Sequence, residues 1–409
     1  MAVPKLRFKA DDGSDYPEWN DFTKLEDISA FITKGATPTT YGFDWQPNGV
    51  YFFRNDCIKN NVFVYGDYSF IAEEANKFLQ RSEVTGGDIV IAITGDIGKV
   101  GLIPSEVKKA NINQHLARVR IVKDAFPYFV YMYLCSDKVQ RTYKKIKTGL
   151  SMPQLSLAQI RDTNIPVVSL PEQQKIAEFL STIDTVIEKQ KETVSAWEER
   201  KKGVMQKLFS QEVRFKADDG SDFPEWEEKK LGEVMSVKDV KQIPTEEAPL
   251  MAFIAYQGVA EKGDRYDRSF LVKSDDKKYK RTDFNDFIYS SNNLDVGSIG
   301  LNKYGSAVIS VVYEIFTFKD GFNPDCMNLL IQQPRIMSSI IRYRQGCLYG
   351  QYKIHSRDFL NVLISVPCLA EQQKIADCLS SLDEVIEKQK ATLAAWEELK
   401  KGLLQQMFV

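Results

Sequence analysis

Histidine and cysteine are the side chains used most often for metal binding and nucleophilic chemistry, and this chain has few of them. Its 409 residues include two histidines and six cysteines. No two cysteines form a CxxC pair, so the spacing of a zinc site is missing, and the sequence predicts a reduced protein without a structural metal. The cysteines are Cys57, Cys135, Cys326, Cys347, Cys368 and Cys378.

Three other stretches invite a catalytic interpretation, and each departs from its motif. Gly95–Gly101 (GDIGKVG) is similar to a phosphate-binding loop, but Lys99 is followed by Val, so the Walker A pattern fails. Residues 323–326 (NPDC) lack the Asn/Asp-Pro-Pro-aromatic motif of amino-methyltransferases. His115 and His355 have no matching acid or cysteine partner in a motif, and a lone histidine beside strands is more often structural. We therefore expect no catalytic site in this chain.

Two internal repeats divide the sequence. Glu172–Phe209 and Glu371–Phe408 are identical at 25 of 38 positions, at an offset of 199. Arg7–Trp19 and Arg214–Trp226 differ only at Tyr16 and Phe223. Because the residues between these repeats look unrelated, we infer two divergent domains that are each followed by nearly the same helix. The predicted segments are residues 1–19 (N-terminal repeat), 20–170 (first domain), 171–209 (central helix), 210–229 (linker that repeats the N-terminal segment), 230–369 (second domain) and 370–409 (C-terminal helix).

Each domain combines short β-type runs with helical patches, which predicts an α+β fold. Asp88–Thr94, Leu116–Val122 and Ala307–Phe318 are apolar runs bounded by Gly, Asn and Asp. Helical patterns occur at Phe129–Lys138 and Arg335–Tyr343. A glycine turn, Gly95–Gly101 in the first domain, recurs at Gly297 and Gly300, which indicates a tight turn in a repeated hairpin.

The repeated helices carry an apolar stripe near heptad spacing, and each predicts a rod of roughly 57 Å from 38 residues at about 1.5 Å per residue. The alternative is that each helix packs only on its own domain, but the longer stripe favours pairing of the two copies. Since each helix leaves one domain and ends at the other, the pair would be antiparallel. Ser169 and Glu172 fit a capping box at the first helix start. The predicted pairing residues are Ile176, Ile183, Val186, Trp197, Ile375, Leu382, Val385 and Trp396.

The charge pattern points to DNA, although the whole chain has a net charge of only −2. Residues 20–170 contain 18 basic and 15 acidic side chains, and residues 230–367 contain 18 and 16. Basic side chains interleaved with tyrosines and amides suit phosphate contact and base-edge reading, although any one such cluster is also typical of a solvated surface. The candidate DNA-binding residues of the first domain are Lys34, Thr37, Thr39, Arg54, Asn55, Lys99, Asn113, Gln114, His115, Lys144, Lys145, Lys147 and Gln154. Those of the second domain are Lys277, Lys278, Lys280, Arg281, Asn292, Asn293, Lys303, Arg342, Arg344, Tyr349, Gln351 and Lys353.

These motifs together resemble the specificity subunit of type I restriction–modification enzymes. The resemblance rests on the twin (P/A)EQQKIA helices with their AWEE(R/L)KKG ends at 196–203 and 395–402, and on the PEW segments that end at Trp19 and Trp226. GDIVIAITGDIGKVG, INQH at 112–115, SMPQL at 151–155 and FIYSSNNLDVGSIGL at 287–301 add weaker support.

The resemblance implies two target-recognition domains on antiparallel coiled-coil helices, each reading one half of a bipartite DNA site. It implies a non-catalytic subunit that binds double-stranded DNA, two methyltransferase subunits and, through the assembled complex, restriction subunits. The partner subunits would bring S-adenosylmethionine, ATP and Mg²⁺, and this chain would hold no cofactor of its own. The expected location is the cytoplasm, without a membrane. An alternative is a stand-alone sequence-specific DNA-binding regulator or architectural protein.

Overall fold

The computed structural model describes residues 4–122, 124–149, 153–261, 277–290, 294, 297–346 and 352–408. The chain divides into two compact units, residues 1–193 with 390–409 (unit 1) and residues 194–389 (unit 2). Two long helices, α5 (Leu170–Phe209) and α10 (Leu369–Met407), each contribute residues to both units. No helix among the described residues is both long and apolar enough to cross a membrane.

The globular part of unit 1 mixes short strands and short helices. The strands are β1 (Phe22–Lys24), β2 (Thr33–Lys34), β3 (Val50–Phe53), β4 (Ile58–Lys59), β5 (Val62–Phe63), β6 (Ser69–Ile71), β7 (Glu83–Val84), β8 (Ile89–Ala92), β9 (Val100–Leu102), β10 (Ala110–Ile112), β11 (Leu116–Val119) and β12 (Asn164–Pro166). The helices are α1 (Glu73–Phe78), α2 (Pro127–Cys135), α3 (Asp137–Ile146) and α4 (Leu157–Arg161).

Unit 2 has a similar mixture. Its strands are β13 (Glu227–Lys230), β14 (Met235–Val237), β15 (Lys241–Gln242), β16 (Ala252–Ile254), β17 (Gly258–Ala260), β18 (Tyr279–Thr282), β19 (Phe287–Ser290), β20 (Ile299–Leu301), β21 (Ala307–Ile309), β22 (Tyr313–Phe318), β23 (Gln345–Gly346), β24 (Tyr352–Lys353) and β25 (Leu363–Val366). Its shorter helices are α6 (Leu231–Val234), α7 (Pro324–Ile331), α8 (Pro334–Ile341) and α9 (Ser356–Phe359).

The same antiparallel four-stranded sheet occurs in both units. Its strand order is β2-β11-β8-β9 in unit 1 and β14-β22-β19-β20 in unit 2. A two-stranded ladder also recurs, as β1-β12 and as β13-β25. The second sheets differ, because β3 runs parallel to β10 in unit 1 whereas β18 runs antiparallel to β21 in unit 2. The two domains thus keep one framework where their sequences no longer match.

Strand β8, inside the shared sheet of unit 1, is apolar throughout because it separates two cores. Ile89 and Ile91 of β8 belong to one buried cluster, while Val90 and Ala92 belong to another. Successive side chains of a strand point to opposite faces, so a strand with a core on each side must be apolar at every position. In β19, Ile288 likewise faces a different cluster from its neighbours.

Within each unit, segments of the two long helices run antiparallel. In unit 1, Ile176 and Leu180 lie in the same buried cluster as Met407 and Phe408. Farther along, the ammonium of Lys400 lies 2.5 Å from the Asp184 carboxylate. In unit 2, Leu208 packs with Ile375 and Leu379, and Lys201 lies 2.6 Å from Asp383. Residue numbers rise along one helix as they fall along the other, which defines the direction.

The predicted pairing residues differ in burial. Ile176, Ile183 and Ile375 are buried. Val186 and Val385 are half-buried, whereas the next residues, Ile187 and Ile386, are buried. Leu382, Trp197 and Trp396 are also half-buried.

A buried glutamate at the start of each long helix explains the repeated N-terminal segment. Both carboxylate oxygens of Glu172 accept hydrogen bonds from Arg7, at 3.0 and 2.9 Å from its Nε and Nη2, and Trp19 Nε1 donates to Glu172 at 3.1 Å. In unit 2, Arg214 and Trp226 make the same contacts with Glu371, at 3.1, 2.9 and 3.1 Å. We call this arrangement of arginine, tryptophan and glutamate the helix clamp.

The residues after the clamp glutamate bind the domain as well. Gln173 accepts a hydrogen bond from the Phe126 backbone N–H, just before α2, and Gln372 does so from Asn323, just before α7. Lys175 donates to the Lys9 carbonyl, and Lys374 donates to the Lys216 carbonyl. The EQQK part of the repeat therefore attaches each domain, and the short segment that precedes it, to the long helix.

The α+β fold class is confirmed, with two mixed domains and two long helices. Two local predictions are wrong. Ala307–Phe318 is not one strand, because residues 310–312 form a turn between β21 and β22. Ser169 and Glu172 form no capping box, since Ser169 Oγ is buried without a hydrogen-bond partner and Glu172 binds Arg7 instead. The repeated hairpin is confirmed as β8-β9 and β19-β20.

Candidate nucleic-acid interface

One edge of the shared sheet in unit 1 gathers several predicted DNA-binding residues. Lys34 at the end of β2 pairs with Ala117, and Leu116 at the start of β11 pairs with Ala92 at the end of β8. The β10–β11 loop, Asn113–His115, thus lies at the same edge as the β8–β9 turn, which begins at residue 93. We call this edge the reading edge.

A chain of hydrogen bonds links the side chains of the reading edge. The Thr37 hydroxyl donates to Gln114 Oε1, and Gln114 Nε2 lies 3.2 Å from His115 Nε2. The other ring nitrogen, His115 Nδ1, lies 3.1 Å from the Thr94 hydroxyl. Asn113 is buried, and its Oδ1 accepts the His115 backbone N–H at 3.1 Å. The sequence-predicted Thr37, Asn113, Gln114 and His115 are therefore in one cluster.

Close backbone contacts build this cluster. A Cβ at Gly35 would lie only 1.9 Å from the Ile112 carbonyl oxygen, so only glycine lets this part of the chain approach the loop. On the other side, Gln154 forms isolated β-bridges with both Thr94 and Thr148. The predicted residue Gln154 thus belongs to the reading edge through its backbone, and its side chain is exposed.

The other predicted residues of unit 1 fall into two groups. Lys34, Lys144, Lys145 and Lys147 are exposed and have no ion-pair partner among the described residues. Thr39 and Asn55 are also exposed. By contrast, Lys99 pairs with Asp96 at 2.5 Å, and Arg54 donates to the Asp67 carbonyl and to Ser69 Oγ while lying 5.3 Å over the Trp45 ring. Arg54 is therefore engaged within the domain, and a role for it in phosphate binding stays a prediction.

In unit 2 the basic candidates are more often paired internally. Lys280 is buried and lies 3.0 Å from Glu314, so its ammonium is paired within the domain. Lys303 pairs with Asp325 at 2.7 Å. Lys277, Lys278 and Arg342 are exposed, and Arg344 and Lys353 are half-buried. Asn292, Asn293, Tyr349 and Gln351 lie outside the described residues.

Arg281, the remaining candidate, belongs to a charged cluster around Asp283. Burial alone would raise the pKa of the Asp283 carboxyl, but hydrogen bonds from Arg281, Lys238 and Ser306 hold it well below its usual range. These contacts keep Asp283 ionised, and Asp283 in turn pairs with the guanidinium of Arg281, whose side chain stays 37% exposed. The cluster is therefore structural in character.

The loop that leads into the second strand of the shared sheet, β11 in unit 1 and β22 in unit 2, has the same length in both units but different chemistry. In unit 1 it is Asn113–His115, between β10 and β11, and in unit 2 it is Ser310–Val312, between β21 and β22. Gln114 is exposed, and its counterpart Val311 is 48% exposed. An amide on one domain and an apolar side chain on the other occupy equivalent places.

Two residues at these edges were missed from the sequence. Thr94 was passed over because it lies within an apolar run, although a hydroxyl at the end of a strand was a usable signal. Tyr256 is 87% exposed and has a positive φ of 62°, which is rare for an aromatic residue. Its ring lies over Gly297, where any Cβ would come within 2.2 Å of the ring. Nothing in the sequence around Tyr256 indicates this contact.

The described part of the chain contains no cluster of three or more His, Cys, Asp or Glu side chains placed to hold a metal ion. Two cavities have volumes of about 640 Å³ and 380 Å³, each within one unit. The larger lies between the end of α5 and the β13-β25 ladder, and the smaller lies beside α1. Neither includes the residues of the reading edge.

Comparison with known proteins gives a consistent result. A sequence model of the type I restriction modification DNA specificity domain matches residues 17–195 and again residues 224–395. A putative type I restriction enzyme MjaX specificity subunit of Methanocaldococcus jannaschii is 24% identical, covering 97% of this chain and 94% of its own length. The MjaVIII specificity subunit of the same organism is also 24% identical, with the same coverages.

Solved structures show the same fold. The S subunit of a type I restriction-modification system from M. genitalium has a TM-score of 0.55 at 15% identity, covering 100% of this chain and 99% of its own. A chain from a structural study of complex assembly and conformational transition in the type I R-M system has a TM-score of 0.54 at 16% identity. The match covers 95% of this chain and 97% of its own.

Proposed function

We propose how recognition is divided within this chain, which belongs to the family of type I restriction modification DNA specificity domains and is the non-catalytic, DNA-recognising subunit of such a system. Each of its two domains reads one half of a bipartite, asymmetric DNA site. The two long helices set the distance between the half-sites and dock two methyltransferase subunits.

The observation that carries this proposal is the pair of equivalent loops. Gln114 and Val311 are the middle residues of two loops that lead into corresponding strands of the shared sheet, β11 and β22. An amide and an aliphatic side chain prefer different base edges. A carboxamide suits adenine, whereas an aliphatic side chain suits the methyl group of thymine. Two domains that share a framework but differ at this position would read different half-sites.

The docking proposal is supported by exposed helix residues that are identical in both copies. Ala196 is exposed, as is its counterpart Ala395. The core contacts described above do not require this identity, so one partner that binds both copies would explain it. The methyltransferases would bring S-adenosylmethionine, and restriction subunits of the assembled complex would bring ATP and Mg²⁺. We propose that the protein is located in the cytoplasm.

A domain exchange tests the division of labour. Residues 20–170 are replaced by the first domain of another family member, and the methylated sites of cells that carry the hybrid are sequenced. We expect one half-site to change while the other half-site is kept, because the clamp at Glu172 can hold either domain. A folded hybrid that loses both half-sites would contradict the proposal.

A further inference from the structure

We propose that Gln114 reads an adenine in the major groove of the first half-site and that His115 is a positioning residue that holds the Gln114 carboxamide in the reading orientation. The inference rests on the proposed function, and it adds the base that one residue reads.

The first step is the hydrogen-bonding capacity of Gln114. Its carboxamide has an oxygen with two acceptor sites and a nitrogen with two hydrogens. Thr37 occupies one acceptor site of Oε1, and His115 lies against one side of Nε2. One acceptor site of Oε1 and one hydrogen of Nε2 remain for a ligand, and Gln114 is exposed. Adenine presents the complementary pair in the major groove, an N6 donor beside an N7 acceptor.

The second step is the orientation of the carboxamide. Gln114 Nε2 can donate to His115 Nε2 only when the imidazole is neutral and carries its hydrogen on Nδ1. His115 Nδ1 then donates to the Thr94 hydroxyl, at 3.1 Å. A reversed amide would place its oxygen against the lone pair of His115 Nε2, which is repulsive. The Thr94 hydroxyl therefore anchors the ring through Nδ1, and in this tautomer His115 Nε2 holds the Gln114 amide in the observed orientation.

The third step is the position of the surrounding charge. Lys34 and Lys147 are exposed and have no ion-pair partner among the described residues. Each lies one residue away from a position of the reading edge, Gly35 and Thr148 respectively. Ammonium groups beside a base-reading amide are placed to contact phosphates, which fix the register but do not specify sequence.

The test is a binding selection with the assembled complex of this chain and its methyltransferase subunits. The probe is a pool of DNA duplexes whose positions are randomised, and bound duplexes are sequenced for the wild type and for each variant. We expect one position of one half-site to be strongly enriched in adenine. In Gln114→Val, which installs the residue type found at Val311, that preference should fall by about 5- to 150-fold while all other positions keep theirs.

The positioning role has its own pair of variants. Thr94→Ser keeps the hydroxyl that receives the His115 hydrogen, and it should retain the adenine preference. Thr94→Val removes the hydroxyl at nearly the same volume, and His115→Ala removes the ring. Both should weaken the preference at that single position. A merely structural role would instead lower affinity for every sequence without changing the ratio of bases there.

Gln46→Ala is the matched control, because Gln46 is an exposed amide of the same domain outside the reading edge. The preference at the second half-site reports that each variant is folded. An unchanged adenine preference in Gln114→Val overturns the inference, as does a loss in Thr94→Ser equal to that in Thr94→Val. If the wild-type complex enriches no sequence at all, the proposed function itself fails.

Discussion

Substitution of one buried glutamate tests whether the helix clamp holds a recognition domain in place. Glu371 is 1% exposed, and its two oxygens accept three hydrogen bonds, two from Arg214 and one from Trp226. Glu371→Gln keeps the shape of the side chain but replaces one oxygen with a donor. Since every partner is itself a donor, the new amide group must face a donor or leave one unpaired.

The expected loss follows from the kind of contact. A hydrogen bond to a charged group contributes about 1.5–3 kcal/mol, and removing one partner of a buried ion pair costs about 3–5 kcal/mol. Arg214 keeps 20% of its side chain exposed, so water relieves part of the cost, and we expect a loss of about 2–3 kcal/mol. For a unit of about 200 residues this lowers the melting temperature by about 4–12 °C.

The assay is scanning calorimetry of the full chain. Glu225→Gln is the matched control, because Glu225 contacts the same Arg214 at 3.4 Å but is 92% exposed. An exposed pair of this kind contributes about 0–1 kcal/mol, so the control should melt almost with the wild type. If Glu371→Gln also melts with the wild type, the clamp does not stabilise unit 2 and our account of the repeated segment is wrong.

Three further predictions concern DNA binding, spacing and pH. Replacing Lys144, Lys145 and Lys147 by Gln should weaken binding to DNA of every sequence. The slope of log K against log salt concentration, measured by titration at several salt concentrations, should fall by up to about 0.9 per lost phosphate contact. An unchanged slope would mean that these lysines form only a solvated surface. Four residues inserted just before Gly203 lengthen α5 by about 6 Å, and methylated-site sequencing should show the same half-sites separated by roughly two more base pairs. An active variant with the old spacing would contradict the proposal that the long helices set the distance between the half-sites. The pKa of Asp283 is lowered in the folded state, so the stabilisation from its ionised carboxylate is present above the pKa in the unfolded chain, about 3.9, and is lost as the pH falls. At pH 7 the Asp283→Asn variant should therefore unfold at a lower urea concentration than the wild type. The difference between their unfolding midpoints should narrow below about pH 4.

The sequence was most informative where the two halves are alike. An offset of 199 residues, kept over 38 positions, predicted both long helices, which the structure places at Leu170–Phe209 and Leu369–Met407. The apolar runs at Asp88–Thr94 and Leu116–Val122 predicted strands, which the structure places at Ile89–Ala92 and Leu116–Val119. These signals depend on local periodicity, so one chain is enough to find them.

The sequence could not predict which charged groups are used inside the domains. Lys280 lies in a basic cluster, yet its partner Glu314 is 34 residues away and is brought opposite by strand pairing. Arg7 and Glu172 are 165 residues apart. Long-range contacts of this kind depend on tertiary structure, which also decided that Glu172 would bind Arg7 and not cap its own helix.

The helix repeat now separates into two parts with different roles. Four of its first residues contact the segments or the core of the neighbouring unit, so their identity in both copies is explained within the chain: Glu172, Gln173, Lys175 and Ile176. Ala196 and Ala395 have no such explanation, since both are exposed. If one partner reads both surfaces, a bulky side chain at either alanine should block it.

Arginine at these positions tests the docking surface directly. Alanine and arginine differ little in helix propensity, so Ala196→Arg and Ala395→Arg should fold normally. We expect each single variant to bind one methyltransferase in place of two, and the double variant to bind none, as counted by native mass spectrometry. Thr185→Arg is the control, because Thr185 is exposed and its counterpart is Glu384, so a partner that binds both copies alike cannot depend on that position. Two bound methyltransferases on the double variant would mean that docking uses another surface, and the identity of the exposed residues would then need a cause other than a shared partner.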